Sequence, residues 1–183
     1  MNINSTAQEV LNFWFEELEP KDWFVSSDAV DKTIIQRFKS LLESASKSEL
    51  YAWRETAEGR LAEVIVLDQF SRNIYRNSPL AFAQDPLALA LAQEAIRLEL
   101  DQQLPIEKRA FLYLPFMHSE SKVIHKEAVK LFSQPGLENN YDFELKHKVI
   151  IDKFGRYPHR NSILGRESTQ EEIDFLTQPG SSF

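Results

Sequence analysis

The chain has 183 residues, which suits one domain with a substantial core or at most two small ones, and its 43% hydrophobic and 27% charged residues are ordinary for a globular protein. It has no cysteine, which excludes disulfide frameworks, thiol nucleophiles, iron–sulfur clusters and cysteine zinc sites, and its five glycines argue against a glycine-rich phosphate loop. The net charge of -7 argues against broad nucleic-acid binding, which rests on neutralising phosphates. The opening MNINSTAQEV has no basic start or apolar signal core, and no run approaches the ~18–20 apolar residues of a membrane span. A cytoplasmic protein with no nucleic-acid and no membrane partner is expected.

Helical periodicity runs through almost the whole sequence. Ser5 and Gln8 read as a capping box for a helix to about residue 17, with Val10, Leu11, Trp14 and Phe15 inward. Pro20 ends it, and 22–27 is a turn. A second helix is expected over 28–44 on Ile34, Phe38, Leu41 and Leu42, and a short one after Ser48 carries Leu50 and Trp53. The fourth, about 59–75, is apolar around much of its circumference through Leu61, Val64, Ile65, Leu67 and Phe70, so it should be central. Asp85 as N-cap and Pro86 as first residue start a fifth, to about residue 100, with Leu87, Leu91, Ala95 and Leu98 inward. Pro105 opens a sixth, which Pro115 should break or kink. Ser119 caps a seventh through residue 132, and Gln134-Pro135-Gly136 is a loop. An eighth covers about 141–154 and breaks at Gly155, and Ser168 with Glu171 caps a last one ending before Pro179. No segment alternates at period two, and no 34-residue repeat is evident. The expectation is a single all-α domain of eight or nine helices over residues 1–183.

Several polar residues interrupt this pattern. Asp68 and Arg72 sit at an i,i+4 spacing on the Leu61–Ile65 face, so Arg72 should be buried against a carboxylate or lining a pocket beside Asn73. His147 falls on the inward face with Ile150, Ile151 and Phe154; the bland alternative is a core histidine satisfied by a carbonyl. Asp152 and Arg156 are i,i+4 neighbours able to pair. His118-Ser119-Glu120 follows the Pro115 break and reads as either a cap or an acid/base pair in a cleft. Between Lys146 and Arg166 stand six cations, including Arg156, Arg160 and Arg166, against the single anion Asp152, so this stretch is locally +5 in an acidic chain. With His159 and Asn161 it makes a cationic loop that needs internal carboxylates or an anionic ligand. No His-x3-His pair is present, so no metal and no cofactor is expected.

Taken together, FWF at 13–15, WF at 23–24, LDQFSRNIYR at 67–76, FLYLPFMHSE at 111–120 and the long HKVIIDKFGRYPHRN…ILGR…ST…EE pattern over 147–172 resemble a bacterial family of unknown function, the domain-of-unknown-function family numbered 924. The resemblance covers nearly the whole chain and departs at Ser71, where proline is expected. It implies an all-helical fold similar to tetratricopeptide-repeat-like superhelices and no particular activity. Its polar signature positions are Asp68, Gln69, Arg72, Asn73, His118, Ser119, Glu120, His147, Arg156, His159, Arg160, Asn161 and Arg166.

Two functions fit these residues. In one, a cleft holds a small phosphate- or carboxylate-like anion on Arg72, Asn73, Arg156, Arg160, Asn161 and Arg166, and His118, Glu120, His147 and His159 are candidate proton-transfer groups. In the other, a helical-repeat-like module binds a protein or peptide on a concave face, without catalysis, and the polar motifs only lock its loops.

Overall fold

The computed structural model describes residues 3–182, with side chains from residue 6 onward. Among these residues there are eight helices and no strand: α1 (3–17), α2 (Asp28–Ser46), α3 (57–74), α4 (Asp85–Arg97), α5 (Ile106–Met117), α6 (Lys122–Phe132), α7 (Glu138–Phe154) and α8 (Gln170–Leu176), joined by short 3-10 turns. Every residue from Leu61 to Phe70 is buried. A helix apolar around its whole circumference needs neighbours on all sides, and α3 has them, packing against α1, α2, α4 and α5. The expectation of a central fourth helix is met.

The core around α3 is strongly aromatic. Phe13, Trp14, Phe38, Phe70 and Phe111 meet mostly edge to face, with Phe13 and Phe38 centroids 5.2 Å apart and Trp14 and Phe111 5.8 Å apart. The Trp23 indole N–H donates to the Trp14 carbonyl at 2.8 Å, which ties the 20–23 turn to α1. A second, smaller apolar cluster of Ile150, Ile151 and Tyr157, with Phe154 and Phe175 against it, joins α7, the loop after it and α8. Gly155, at φ +70°, ends α7 in the left-handed conformation that glycine adopts without strain.

Local capping chemistry departs from expectation by one or two residues at several helices. The first helix starts at Ile3, so Ser5 lies inside it and is no cap; the Ser5 side chain is outside the described residues. Thr56 caps α3, which begins at Ala57, two residues before the expected start, the Thr56 hydroxyl accepting from the Gly59 amide at 3.0 Å. Gln84 holds the N-cap of α4, and Asp85 is the first helical residue. Its carboxylate is taken by two arginines from other elements, and so does not cap. The inward face of α4 is Ala88, Ala92 and Ala95; Leu87 and Leu91 are half-buried and Leu98 is exposed. Small side chains let α4 lie close against α3 and α5. Pro115 sits within α5, which continues to Met117, because a proline in the last turn removes only one helical hydrogen bond. Ser121, not Ser119, caps α6, and Thr169 with Glu172 forms the capping box of α8, one residue beyond the expected pair.

Gly59 is where α3 touches the preceding turn. A Cβ at this position would lie 2.0 Å from the Trp53 carbonyl oxygen, and backbone cannot swing aside as a side chain can. Helix propensity alone would make Gly59→Ala stabilising by about 0.5–1 kcal/mol. The steric contact reverses the sign, and the substitution is expected to destabilise by about 1–3 kcal/mol in urea unfolding.

Candidate functional site

The middle of α3 is not regular. Residues Val66–Phe70 form a π turn between two α-helical stretches, and Asp68 and Gln69 lie in it, both buried. Such turns inside helices occur mostly at functional positions. The Asp68 carboxylate faces three groups: His118 Nδ1 at 2.8 Å from Oδ1, Arg72 Nη1 at 3.2 Å, and Gln69 Nε2, which donates to it at 2.6 Å, while the Asp68 carbonyl also accepts from Arg72 Nη1 at 2.7 Å. Burial alone would push the Asp68 pKa up; the charges of Arg72 and His118 and the hydrogen bonds from His118 and Gln69 outweigh it and hold the carboxyl well below the usual carboxylate range.

Arg72 uses its planar fork on a second carboxylate. Nη1 and Nη2 donate to the two oxygens of Asp85 at 2.8 and 3.0 Å. The expectation that Arg72 lies against a carboxylate is met twice over. Asp85 is shared: Arg160 Nη1 reaches it at 3.3 Å, and Arg160 Nη2 donates to the His118 carbonyl at 3.1 Å. The Arg160 guanidinium also lies over the rings of Phe82 and Tyr157, at 4.5 and 4.6 Å. Burial and the like charge of Arg72 lower the Arg160 pKa, and the buried Arg160 Nε has no hydrogen-bond partner.

The other cations of the loop are neutralised from within. Arg166 grips Glu120 at 2.6 and 2.9 Å and donates through Nε to Asn161 Oδ1 at 2.9 Å; Glu120 also accepts from the Tyr157 amide at 2.7 Å. Burial raises the Glu120 pKa, but these donors dominate and keep it ionised, which removes it as a proton donor at neutral pH. Arg156 pairs with Glu172 through two bonds of 2.7 and 2.8 Å, and not with Asp152, which pairs with Lys148. Asn161 donates to Ser168 Oγ at 3.0 Å and to Glu172 at 3.3 Å. Asn73 turns away to α2, where it and Arg76 bind Asp31 at 2.6–2.8 Å.

The histidines divide into two kinds. His147 holds the Phe143 carbonyl at 2.7 Å through Nδ1 and packs edge-on against Tyr157 at 5.7 Å; burial lowers its pKa to about 3. His159 also packs against the Tyr157 ring, tilted at 5.6 Å, its pKa lowered to about 4 chiefly by burial. His125 is fully buried, bridging Glu144 at 2.6 Å and the Ser119 carbonyl at 2.8 Å, with the Tyr157 hydroxyl 3.2 Å away. His118 differs: its ring is partly open to solvent, and it lines a cavity of about 400 Å³. The remaining wall is Pro79, Phe82, Ala83, Asp85, Pro86, Leu89, Pro115, Ser119, Glu120, Arg160 and Leu164.

Of the residues singled out from the sequence, the fold brings His118, Glu120 and Arg160 to this cavity, with Arg72 behind Asp85. Asn73, His147, Arg156, His159, Asn161 and Arg166 are placed elsewhere, in ion pairs, ring contacts or loop bonds. The α4 start, through Asp85, and the 79–89 wall were not anticipated; the sequence signal at Asp85 was read as a cap. His125 and Glu144 were also passed over, although each lies on the apolar face of its helix with Ala128 and Phe132 or His147 and Ile151. Among the described residues no group of three or more His, Cys, Asp or Glu is placed to hold a metal ion.

Removing Arg72 leaves Asp68 and Asp85 short of their shared partner. Breaking a fully buried pair costs about 3–5 kcal/mol; with Arg72 about a fifth exposed, Arg72→Ala should cost about 2–3 kcal/mol, read by urea or thermal denaturation. The pH response follows from the buried histidines. Their folded pKa values, about 3 for His147 and about 4 for His159, lie below the 6.5 of the free side chain, so the unfolded chain takes up protons first. Stability from these groups is fully present above about pH 6.5 and is lost as the pH falls toward 4 and then 3. A melting temperature that declines across that window, with a shallower decline in His147→Leu, is the expected result.

The chain matches, over residues 10–180, the family model described as a bacterial protein of unknown function (DUF924). It is similar to the solved structure of a protein of unknown function from Agrobacterium tumefaciens, at 38% identity, covering 96% of this chain and 98% of that one, with a TM-score of 0.91. No curated protein matches it. No helix among the described residues is long and apolar enough to cross a membrane. The match spans both the π turn of α3 and the 155–166 loop, so the chain belongs to the bacterial DUF924 family.

Proposed function

We propose that the cavity between α4, the end of α5 and the 155–166 loop binds a compact anion with an apolar body, a carboxylate or phosphate group attached to a hydrocarbon or aromatic frame. The observation that carries this reading is Arg160. It is buried, it lines the cavity, it shares the Asp85 carboxylate with Arg72 over a long 3.3 Å contact, and its Nε is unsatisfied. Arg72 is matched by Asp68 as well as by Asp85, whereas Arg160 has only its 3.3 Å share of Asp85, so Arg160 is the least fully paired cation of the site and the one an anion would complement. Pro79, Phe82, Pro86, Leu89, Pro115 and Leu164 supply the apolar wall against which the rest of such a ligand packs. The volume of about 400 Å³ suits a small molecule and excludes a polyanion such as duplex DNA.

A thermal-shift screen of phosphates, nucleotides and carboxylic acids tests this. A ligand at a hundredfold excess over its dissociation constant should stabilise the protein by about 2.7 kcal/mol. Ala83 lines the cavity, is exposed and takes part in none of the ion pairs, so Ala83→Trp should fill the space while leaving the charges in place, and abolish the shift. If no anion shifts the wild type beyond matched salt, or if Ala83→Trp still responds, the pocket fails. A helical interaction module then accounts better for the arginines, since each has an internal partner.

A further inference from the structure

Asp68 and His118 form a pair whose geometry is not needed to bury Arg72. Asp85 already satisfies the Arg72 fork through two bonds, yet Asp68 turns one oxygen to His118 Nδ1 at 2.8 Å. Asp68 is buried and sits in the π turn, a departure from regular helix that sets its side chain toward the end of α5. A carboxylate at this distance selects the tautomer in which Nδ1 carries the proton and Nε2 the lone pair. Nε2 makes no hydrogen bond to a described residue and is not enclosed. The other three histidines sit against Tyr157, a buried carboxylate or backbone carbonyls instead. The charged groups around His118 are Asp68 and Arg72 from α3, Asp85 from α4 and Arg160 from the loop. Burial outweighs their combined field and lowers the His118 pKa, while Asp68 stays ionised, so the imidazole is neutral and basic at pH 7.

We infer that His118 is a hydrogen-bond acceptor facing the cavity, with Asp68 as its positioning residue, and that the ligand is therefore an anion that also carries a hydroxyl, as a 2-hydroxy acid does. This rests on the anion-pocket reading for its ligand half. Arg160 donates to the His118 carbonyl and both residues line the cavity, so the anion-binding group and the hydrogen-bond acceptor serve the same space. The ligand hydroxyl donates a hydrogen bond to the Nε2 lone pair while Asp68 holds the proton on Nδ1; no bond breaks, since an alcohol hydroxyl is a far weaker acid than imidazolium. Glu120 takes no part, since Arg166 and the Tyr157 amide hold both its oxygens.

The test has two arms on the whole chain. In the first, the protein is labelled with 15N-histidine, and NMR reads the tautomer and titration of each histidine. Diethyl pyrocarbonate with peptide mass spectrometry reads the nucleophilicity of each neutral ring. His118 should show the Nδ1–H tautomer, titrate below pH 6.5, and react at least about tenfold faster than buried His125. Asp68→Asn should lose the tautomer preference and slow the His118 reaction on its high-pH plateau, which a merely structural Asp68 would leave unchanged. The wild-type tautomer is read without any variant, so a poorly folding Asp68→Asn does not close the question. An Nε2–H tautomer in the wild type, or a plateau rate untouched in folded Asp68→Asn, overturns the dyad. In the second arm, mandelate is compared with phenylacetate, which lacks the hydroxyl. Mandelate should bind at least about tenfold more tightly and protect His118 from acylation. Equal binding of the two acids overturns the role of His118 while the pocket stands; binding of neither overturns the pocket and the ligand assignment together, and the NMR arm then judges the dyad alone.

Discussion

A guanidinium cannot give up its proton inside a protein, so a buried arginine must bring a carboxylate or a set of carbonyls with it. This constraint organises the C-terminal third of the chain. Asp85 takes two arginines, one from α3 and one from the 155–166 loop, and thereby ties the central helix, the start of α4 and the loop into one block. Glu120 and Glu172 do the same for Arg166 and Arg156. At the far side of α3, Asp31 gathers Arg76 and Asn73, and Glu63 holds Arg54 through two bonds of 2.7 Å. The local excess of positive charge read between Lys146 and Arg166 is thus largely cancelled by carboxylates contributed from α4, α8 and the turn before α6.

What the pairing leaves over defines the candidate site. Arg72, Arg156 and Arg166 each have a bidentate carboxylate; Arg160 has a shared one and an unsatisfied Nε. Asp68 and Glu144 are buried and Glu120 half-buried, all near histidines or arginines, but they differ in charge state for a physical reason. Strong donors hold Asp68 and Glu120 ionised, whereas burial dominates at Glu144 and raises its pKa despite the His125 hydrogen bond. His118 combines a carboxylate on one ring nitrogen with a second nitrogen that makes no hydrogen bond to a described residue. The cavity takes its polar end from that residue and Arg160.

Much of the fold was legible because helices are written locally. The i, i+3, i+4 spacing of Leu61, Val64, Ile65 and Leu67, the Gly155 stop and the absence of any alternating segment follow from 3.6 residues per turn and are independent of what lies across the molecule. The polar oddities at Asp68, Arg72, His118, Glu120 and Arg160 were visible for the same reason, as charges on faces that should be apolar. Caps were less legible: Ser119 and Ser121, or Ser168 and Thr169, offer the same hydroxyl chemistry within two residues, and only the backbone angles choose between them. The face of α4 was misjudged because leucine outranks alanine in hydrophobicity, while close helix approach favours alanine.

By itself the sequence determined an all-helical chain, its central helix and the set of charged residues that had to find buried partners. It did so because periodicity, breakers and the desolvation of charge act on each segment separately. Only the tertiary structure decided the pairings, since partners lie far apart along the chain: 75 positions between Asp85 and Arg160, 50 between Asp68 and His118, 46 between Glu120 and Arg166. Any of several acids would satisfy a given arginine equally well in a list of residues. The packing of α3 against α4 and α5, and the turn of the loop after Gly155, brought particular ones within 3.3 Å. That selection placed His118 and Arg160 beside open space and sent Asn73, Arg156 and Arg166 to hold the fold together.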